Sequence, residues 1–518
     1  MNRSVKILWA DDEIDLLKPH VIFLETKGHE VVTANNGDDA IELVKKTNFD
    51  IIFLDENMPG LSGLETLMEI KKLVPAVPVI MITKSEEEDI MDEAVGSKIA
   101  DYLIKPVNPN QILLAIKKNV EQKRLITEIT TSKYQSAFGK IGMQINDSFT
   151  YNDWIDVYKN LVFWELELEK SNDNAMDEVL KLQRADANST FAKYIKNNYF
   201  NWFGRSLNER PLLSTDIFKH KVIPLLANDQ KVFFVLIDNL RYDQWKVLEP
   251  IFHEYFTIDK EELYYSILPT ATQYARNSLF AGLMPSEIEK LHPDLWLNDV
   301  DEGGKNLNED KLLEKQLTRL GKNIRFNYEK ITNLKAGKRL NEILPNLLNQ
   351  QLTVIIYNFV DMLSHARTDM EMIRELAYDE PAYRSLTLSW FEHSPLLDFL
   401  KELSQMKVKV VLTTDHGTIR VVNPVKIIGD KQTNSNLRYK QGKNLNYNPK
   451  EVFEITKPEK GYLPKSNVSS TYVFALSDGF FCYPNNYNYF VNYYKGTFQH
   501  GGVSLEEMIV PLITLSPK

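Results

Sequence analysis

Five times in this chain, a short apolar, β-branched run leads into an aspartate. Val5 to Trp9 leads through Ala10 into Asp11-Asp12, Ile51 to Leu54 into Asp55, Lys231 to Ile237 into Asp238, Leu352 to Val360 into Asp361, and Val408 to Thr414 into Asp415. Such runs, separated by amphipathic helical stretches, read as strands of parallel α/β sheets. An open parallel sheet collects its ligands at the carboxyl ends of its strands. Two regions of the chain, about 5–122 and 219–518, are therefore expected to carry acidic sites on α/β frames, with a helical stretch between them.

The 518 residues suggest three to five domains at about 100 to 200 residues each. Lys and Arg total 61 against 71 for Asp and Glu, a net charge of −10, which argues against coating nucleic acid by bulk charge. Cys482 is the one cysteine, so an intrachain disulfide and a Cys-rich zinc module are both excluded. That usage fits a reducing compartment, and the nine histidines are the other nitrogen or sulfur metal ligands. No apolar run approaches the roughly 18 residues of a membrane helix, and no secretory leader is evident, so a soluble, cytoplasmic chain is expected.

In the first region, further strands are expected at Glu30–Thr33, Val77–Ile82 and Asp101–Ile104. Asp11, Asp12, Asp55, Thr83 and Lys105 then converge at strand ends. Clustered carboxylates suit Mg²⁺, and Thr83 and Lys105 would offset charge on a phosphoryl group transferred to Asp55. The motifs Trp9-Ala10-Asp11-Asp12, Leu54-Asp55-Glu56-Asn57-Met58-Pro59-Gly60, Ile82-Thr83 and Lys105-Pro106 resemble the CheY-like, flavodoxin-like receiver domain of two-component response regulators. The resemblance implies Asp55 as phosphoacceptor, Asp11, Asp12 and Asp55 with the Glu56 carbonyl around Mg²⁺, and Thr83 with Tyr102 as a switch pair. Lys84 departs from the small residue that many members carry after the switch hydroxyl.

From about Asn119 to Trp202 strand signals vanish, and Trp154, Val157, Tyr158, Val162 and Trp164 recur at helical spacing, as in a small bundle. Such a bundle is either a connector passing on the state of the first domain or a packed spacer. No helix-turn-helix with a cationic recognition helix is evident, so no DNA-binding output is expected.

The last region carries Asp238, then Asp361-Met-Leu-Ser-His365, then Asp415-His416-Gly417, then His500 before Gly501-Gly502. Asp361 and His365, four residues apart, share one face of a helical turn. Mixed Asp and His ligands suit zinc or a similar borderline ion. Six such groups are too many for one tetrahedral ion, so two metals about 4 Å apart, clamping a phosphoryl centre, are the natural reading. The nucleophile would be a hydroxyl, and Pro269-Thr270-Ala271-Thr272 supplies two candidates before an expected helix over Tyr274–Leu283.

The order Asp, Thr, Asp-x-x-x-His, Asp-His and late His resembles the alkaline phosphatase superfamily, in particular its PglZ branch. The resemblance implies an alkaline-phosphatase-like α/β domain over 219–518. It implies Thr272 as nucleophile, Asp238, Thr272, Asp415 and His416 around a first Zn²⁺, and Asp361, His365 and His500 around a second. The whole chain would then be a multidomain α/β protein: receiver over 1–123, helical bundle over 124–218, phosphatase-like domain over 219–518. That arrangement is similar to response regulators of type IX secretion. It implies a sensor histidine kinase, a sigma factor and secretion components as partners, a homodimer on phosphorylation, and phosphodiesterase activity on nucleotides or short oligonucleotides. The competing reading is an adaptor that acts by protein binding around a structural or vestigial zinc site. Within the enzyme class, a monoesterase, sulfatase or mutase is open. Between Asp430 and Lys450, Lys431, Arg438, Lys440, Lys443 and Lys450 interleave with Tyr439 and Tyr447. That stretch reads either as a basic, aromatic guide for an oligonucleotide or as a solvated loop.

Overall fold

The computed structural model describes residues 4–75, 77–84, 99–171, 174–299, 301–429, 433–465 and 469–518. Contacts divide the chain into two compact units, 1–135 with 170–173, and 136–169 with 174–518.

In the first unit, strands β1 (Lys6–Ala10), β2 (Glu30–Ala34), β3 (Ile51–Asp55), β4 (Val79–Thr83) and β5 (Asp101–Ile104) form one sheet in the order β2-β1-β3-β4-β5. Every pairing is parallel. Alternation along β1 and β3 sends Leu8, Ala10, Ile52 and Leu54 into one core and Ile7, Trp9, Ile51 and Phe53 into another. Helices α1 (Lys18–Thr26) and α4 (Pro109–Ile116) cover the second core through Leu24, Ile112 and Ile116, while α2 (Gly37–Lys46) and α3 (Gly63–Leu73) cover the first through Ala40, Val44, Leu67 and Ile70. Burial on both faces is why β3 is apolar throughout until Asp55. The strand order reverses between β1 and β3, so Asp11-Asp12 and Asp55 end up at the crevice where such sheets bind ligands.

The middle stretch forms three long helices, α5 (Gln122–Asp147), α6 (Tyr151–Ser171) and α7 (Asn174–Asn198). Of the aromatic stripe, Trp154, Val157, Tyr158 and Val162 are buried and Trp164 is half-buried. Its partners lie partly outside the bundle. Tyr158 meets Tyr242, at the start of α8 (Tyr242–Tyr255), at 5.9 Å between ring centroids, and Phe191 of α7 meets Tyr265 at 6.3 Å.

The rest of the second unit is built on a six-stranded sheet. Its strands are β6 (Lys231–Ile237), β7 (Phe256–Tyr265), β8 (Phe326–Ile331), β9 (Leu352–Tyr357), β10 (Val408–Thr413) and β11 (Ile509–Pro517), in the order β7-β11-β10-β6-β9-β8. Strands β10, β6, β9 and β8 are parallel, and β11 runs antiparallel to β10 and β7. The expected strand over Leu352–Val360 is shorter than its apolar run. It stops at Tyr357, and Phe359 and Val360 open helix α10 (Phe359–Asp369), so Asp361 sits in a helical first turn. Phe359 stacks on Trp390 at 4.2 Å and Val360 is fully buried, so the run stays apolar after its backbone has changed period. The expected helix after the two threonines begins two residues early, as α9 (Thr272–Ala281).

Buried ion pairs fasten α6 and α7 to this sheet domain. Glu165 of α6 pairs with Arg184 of α7 and with Arg384 at 2.6 Å, and Arg384 also reaches Asp243 at 3.0 Å. Arg184 continues to Glu506 at 2.6 Å, where Asn188 also donates. Burial alone would raise the Asp243 and Glu165 carboxyls, but for Asp243 the guanidiniums of Arg241 and Arg384, and for Glu165 those of Arg184 and Arg384, outweigh it and hold both below the usual range. Depressed carboxyls stabilise the fold above their unfolded pKa near 4, and that contribution is lost as pH falls below it. Arg384→Met, which takes one of two guanidiniums away from each of the buried acids Glu165 and Asp243, is expected to cost about 3–5 kcal/mol at pH 7 in urea unfolding, with a smaller penalty near pH 4. An equal penalty at both pH values would contradict this account of the fastening.

Candidate functional site

The register of β6 against β10 pairs Leu236 with Thr413, so Asp238 and Asp415, each two residues on, leave the sheet side by side. Both are buried. His416 follows, with its Nε2 3.9 Å from Asp238 Oδ1 and 3.8 Å from Asp415 Oδ2. Thr272 begins α9 with its Oγ1 3.1 Å from His416 Nε2. The His416 Nδ1 lies 3.1 Å from the Gly417 carbonyl, which can only accept, so Nδ1 is placed to donate there and Nε2 is left facing the Thr272 hydroxyl and the carboxylates. Gly417 is required by close approach, because a Cβ there would sit 2.0 Å from the Glu506 carbonyl oxygen. Burial would raise Asp415, but Arg276 and His416 bring it down to about 2, whereas burial pushes Asp238 well up.

A second cluster adjoins the first. The His416 and His500 rings stack at 4.3 Å, and His500 Nε2 lies 3.6 Å from Asp361 Oδ1. One helical turn on, His365 Nε2 lies 3.6 Å from Asp361 Oδ2, with its side chain largely exposed. The chain returns to this edge of the sheet because His500 shortly precedes β11, which pairs with β10. His500 Nδ1 faces the Thr270 carbonyl at 3.3 Å, which again turns Nε2 toward the carboxylate. Burial, then His416 and His365, hold His500 well below the ordinary histidine range, so it stands neutral, as a ligand must.

The two threonines part company here. Thr270 is buried, donates to the Gly502 carbonyl at 2.8 Å and accepts from Gly501 N–H at 3.1 Å, so its hydroxyl is spent on holding the His500 loop. Thr272 faces the ligand cluster. Asp361, His365 and His500 can converge on one cation, as can Asp238, Asp415 and His416. The fit is supported by two carboxylate oxygens, Asp238 Oδ1 and Asp361 Oδ1, which are out of water and have no hydrogen-bond partner among the described residues. Sequence reasoning did not find Arg276, which bridges the first cluster from one turn along α9. It pairs with Asp238 and, through Nε, with Asp415 at 3.0 Å. Its signal is its position four residues after Thr272, on the same face of the helix.

In the first unit Asp11, Asp12 and Asp55 form a third possible cation site. Lys105 Nζ spans it, 2.9 Å from Asp11 and 2.8 Å from Asp55. Burial raises the Asp55 carboxyl, with Asp11 and Asp12 adding to the effect and Lys105 opposing it. Thr83 Oγ1 donates to the Glu56 carboxylate, and the Glu56 carbonyl accepts from Gly63 N–H at 2.8 Å. Tyr102 is partly exposed, at 42% of its surface, and Lys84 reaches Glu13 at 3.6 Å.

The basic segment is buried over residues 438–442, where neither a guide for an oligonucleotide nor a solvated loop was to be found. Arg438 is fully buried against Glu507 at 2.6 Å, and Lys440 is buried with its Nζ donating to the Asn434 carbonyl at 2.9 Å. Tyr439 is buried too, while Lys450 is exposed. Asp430 and Lys431 lie outside the described residues.

Residues 217–515 match the model of the BREX system PglZ alkaline phosphatase-like domain, more than half of the chain. The chain belongs to the PglZ alkaline phosphatase-like family. Residues 7–117 match the response regulator receiver domain and 124–203 the PorX response regulator linker domain, so this is a response regulator with a PglZ output and a PorX-like architecture. Among curated proteins, the transcriptional regulatory protein ZraR of Klebsiella oxytoca is 35% identical over 139 residues, 27% of this chain and 31% of that protein. The transcriptional regulatory protein ResD of Bacillus subtilis is 35% identical over 114 residues, 22% of this chain and 47% of that protein. The chain thus spans less than half the length of either relative. A CheY-like receiver domain protein from Methanospirillum hungatei is a similar solved structure, at 27% identity, covering 23% of this chain and 95% of its own, with a TM-score of 0.22. A receiver implies a sensor kinase as partner, and alkaline phosphatase-like domains imply metal ions. Among the described residues no helix is long and apolar enough to cross a membrane.

Thr270→Val is expected to cost about 1–3 kcal/mol in urea unfolding, because it leaves the buried Gly501 N–H and Gly502 carbonyl unpaired. Thr272→Val is expected to change stability far less. Equal losses would contradict the separation of the two hydroxyls.

Proposed function

We propose that this chain is a response regulator of type IX secretion, phosphorylated on Asp55 of its receiver, and that its PglZ domain is a two-zinc phosphodiesterase acting on nucleotides or short oligonucleotides. The observation that carries the catalytic reading is the placement of the Thr272 hydroxyl, at the N-terminus of α9, 3.1 Å from His416 Nε2 and beside the carboxylates of Asp238 and Asp415. Asp238, Asp415, His416 and Thr272 would hold one metal, and Asp361, His365 and His500 the other. Bound there, the metals supply Lewis acidity toward the phosphoryl oxygens and lower the pKa of a coordinated hydroxyl or water.

In this reading the Thr272 hydroxyl gives its proton to solvent, Oγ1 attacks phosphorus in line with the leaving oxygen, the bond from phosphorus to that oxygen breaks, and the leaving group takes a proton from water and departs as an alcohol while the other ester stays on phosphorus. Water then attacks the Thr272 adduct, releasing a phosphate monoester and restoring the hydroxyl. The helix start adds partial positive charge where the phosphate would sit. His365, the most exposed of the proposed ligands, marks the side open to solvent. In the receiver, Asp11, Asp12, Asp55 and the Glu56 carbonyl would hold Mg²⁺, with Lys105 neutralising the phosphorylated Asp55 and Thr83 and Tyr102 responding to it. Dimerisation on phosphorylation, and contacts with a sigma factor and secretion components, belong to the same proposal.

The purified protein with zinc should hydrolyse a nitrophenyl phosphodiester and small oligonucleotides. Thr272→Val should lose at least about 10³-fold in kcat, in keeping with loss of a nucleophile. Equal activity of wild type and variant, or inactivity of both, would defeat the reading. Beryllofluoride with Mg²⁺ should raise the light-scattering mass toward a dimer in wild type and leave Asp55→Ala unchanged. An unchanged wild-type mass would contradict the dimer.

A further inference from the structure

Arg276 is fully buried, and it faces three acids. Its Nη2 pairs with Asp238 Oδ2, its Nε lies 3.0 Å from Asp415 Oδ2, and its Nη1 lies 3.9 Å from Glu309 Oε1. Glu309 is itself buried and takes Lys330 Nζ at 2.7 Å. Arg276 takes Asp238 by one oxygen, Oδ2, while Oδ1 is left without a hydrogen-bond partner and faces His416. A planar guanidinium with several fixed donors suits such a bridge, because it can hold two carboxylates in set orientations while carrying a charge that cannot be lost.

We propose that Arg276 is the resident cation of this site: a positioning residue that holds Asp238 and Asp415 fixed and side by side before any metal arrives. Two neighbouring carboxylates wholly out of water repel each other and lose their hydration, a cost that a fixed internal cation offsets. With Arg276 in place, its positive charge offsets part of the negative charge of the pair, and the Asp238 ligand oxygen needs no reorientation. Glu309 and Lys330, paired with each other, hold the far side of the guanidinium without altering that balance. The part of this proposal that concerns metal rests on the two-zinc reading, whereas the part that concerns the metal-free protein does not.

The test is thermal melting of the full chain, chelator-treated and zinc-loaded. Arg276→Gln should lower the chelator-treated midpoint by on the order of 5 °C. Zinc should recover much of that loss, so the variant gains more from zinc than wild type does. Removing one of the now unbalanced charges should also help. Arg276→Gln with Asp415→Asn should melt above Arg276→Gln alone in chelator, although Asp415→Asn lowers the midpoint in the wild-type background. If Arg276 serves only as packing, Asp415→Asn will add to the damage in both backgrounds, and that result overturns the proposal. If Arg276→Gln does not fold in chelator, Arg276→Lys, which keeps the charge, should fold, and failure of both would likewise overturn it. Zinc that shifts no midpoint, wild type included, would sink the metal reading and leave the charge-reversal result to decide the role of Arg276.

Discussion

Two carboxylates at the ends of adjacent parallel strands, both out of water, are the constraint around which the second unit is organised. The β6–β10 register that joins the central sheet also forces Asp238 and Asp415 together. Their charge has to be met locally, since a buried, unpaired carboxylate is either neutralised or costly. Arg276 meets part of it. The remaining unsatisfied oxygens, the inward-facing imidazole nitrogens and the hydroxyl of Thr272 are what a cation and a phosphate ester would complete.

The segment from His500 to Met508 ties this site to the helical middle of the chain. Thr270 holds Gly501 and Gly502, Glu507 holds Gly502 N–H at 2.9 Å and Arg438, and Glu506 takes Arg184 and Asn188 of α7. His500 therefore stands at one end of a buried polar chain whose other end is in the bundle. This gives the alternative between connector and spacer a physical form: α6 and α7 are fastened to the catalytic-type domain by buried charge, and a shift of α7 would bear on the backbone that carries His500. It also explains why Arg438 and Lys440 do not form a basic strip. Arg438 serves as the counter-ion of a buried glutamate within the same scaffold.

Much of this organisation was legible in the residues. The runs ending on aspartate located both sheets, and their acidic ends converge as open parallel sheets require. The aromatic stripe marked buried helix faces, although periodicity could not say that Tyr158 and Phe191 pack against Tyr242 and Tyr265, because a stripe records burial and not the partner. Leu352–Val360 misled for a related reason: Phe359 and Val360 stay apolar while the backbone turns helical. Arg276 and Arg438 were illegible in another way. A cation reads as surface in a sequence, and only the fold shows which acids, more than a hundred residues away in the case of Asp415, have drawn it inside.

The account turns on Thr272 being the atom that takes the phosphoryl group. Acid quenching of the zinc-loaded protein during turnover of a phosphodiester, followed by peptide mass spectrometry, reads this directly. The account predicts an adduct on the peptide carrying Thr272 with the mass of the phosphoryl group plus the substrate's retained ester group, located at that residue and missing from Thr272→Val. Sustained turnover with Thr272 unmodified, or an adduct on Thr270 instead, would contradict it.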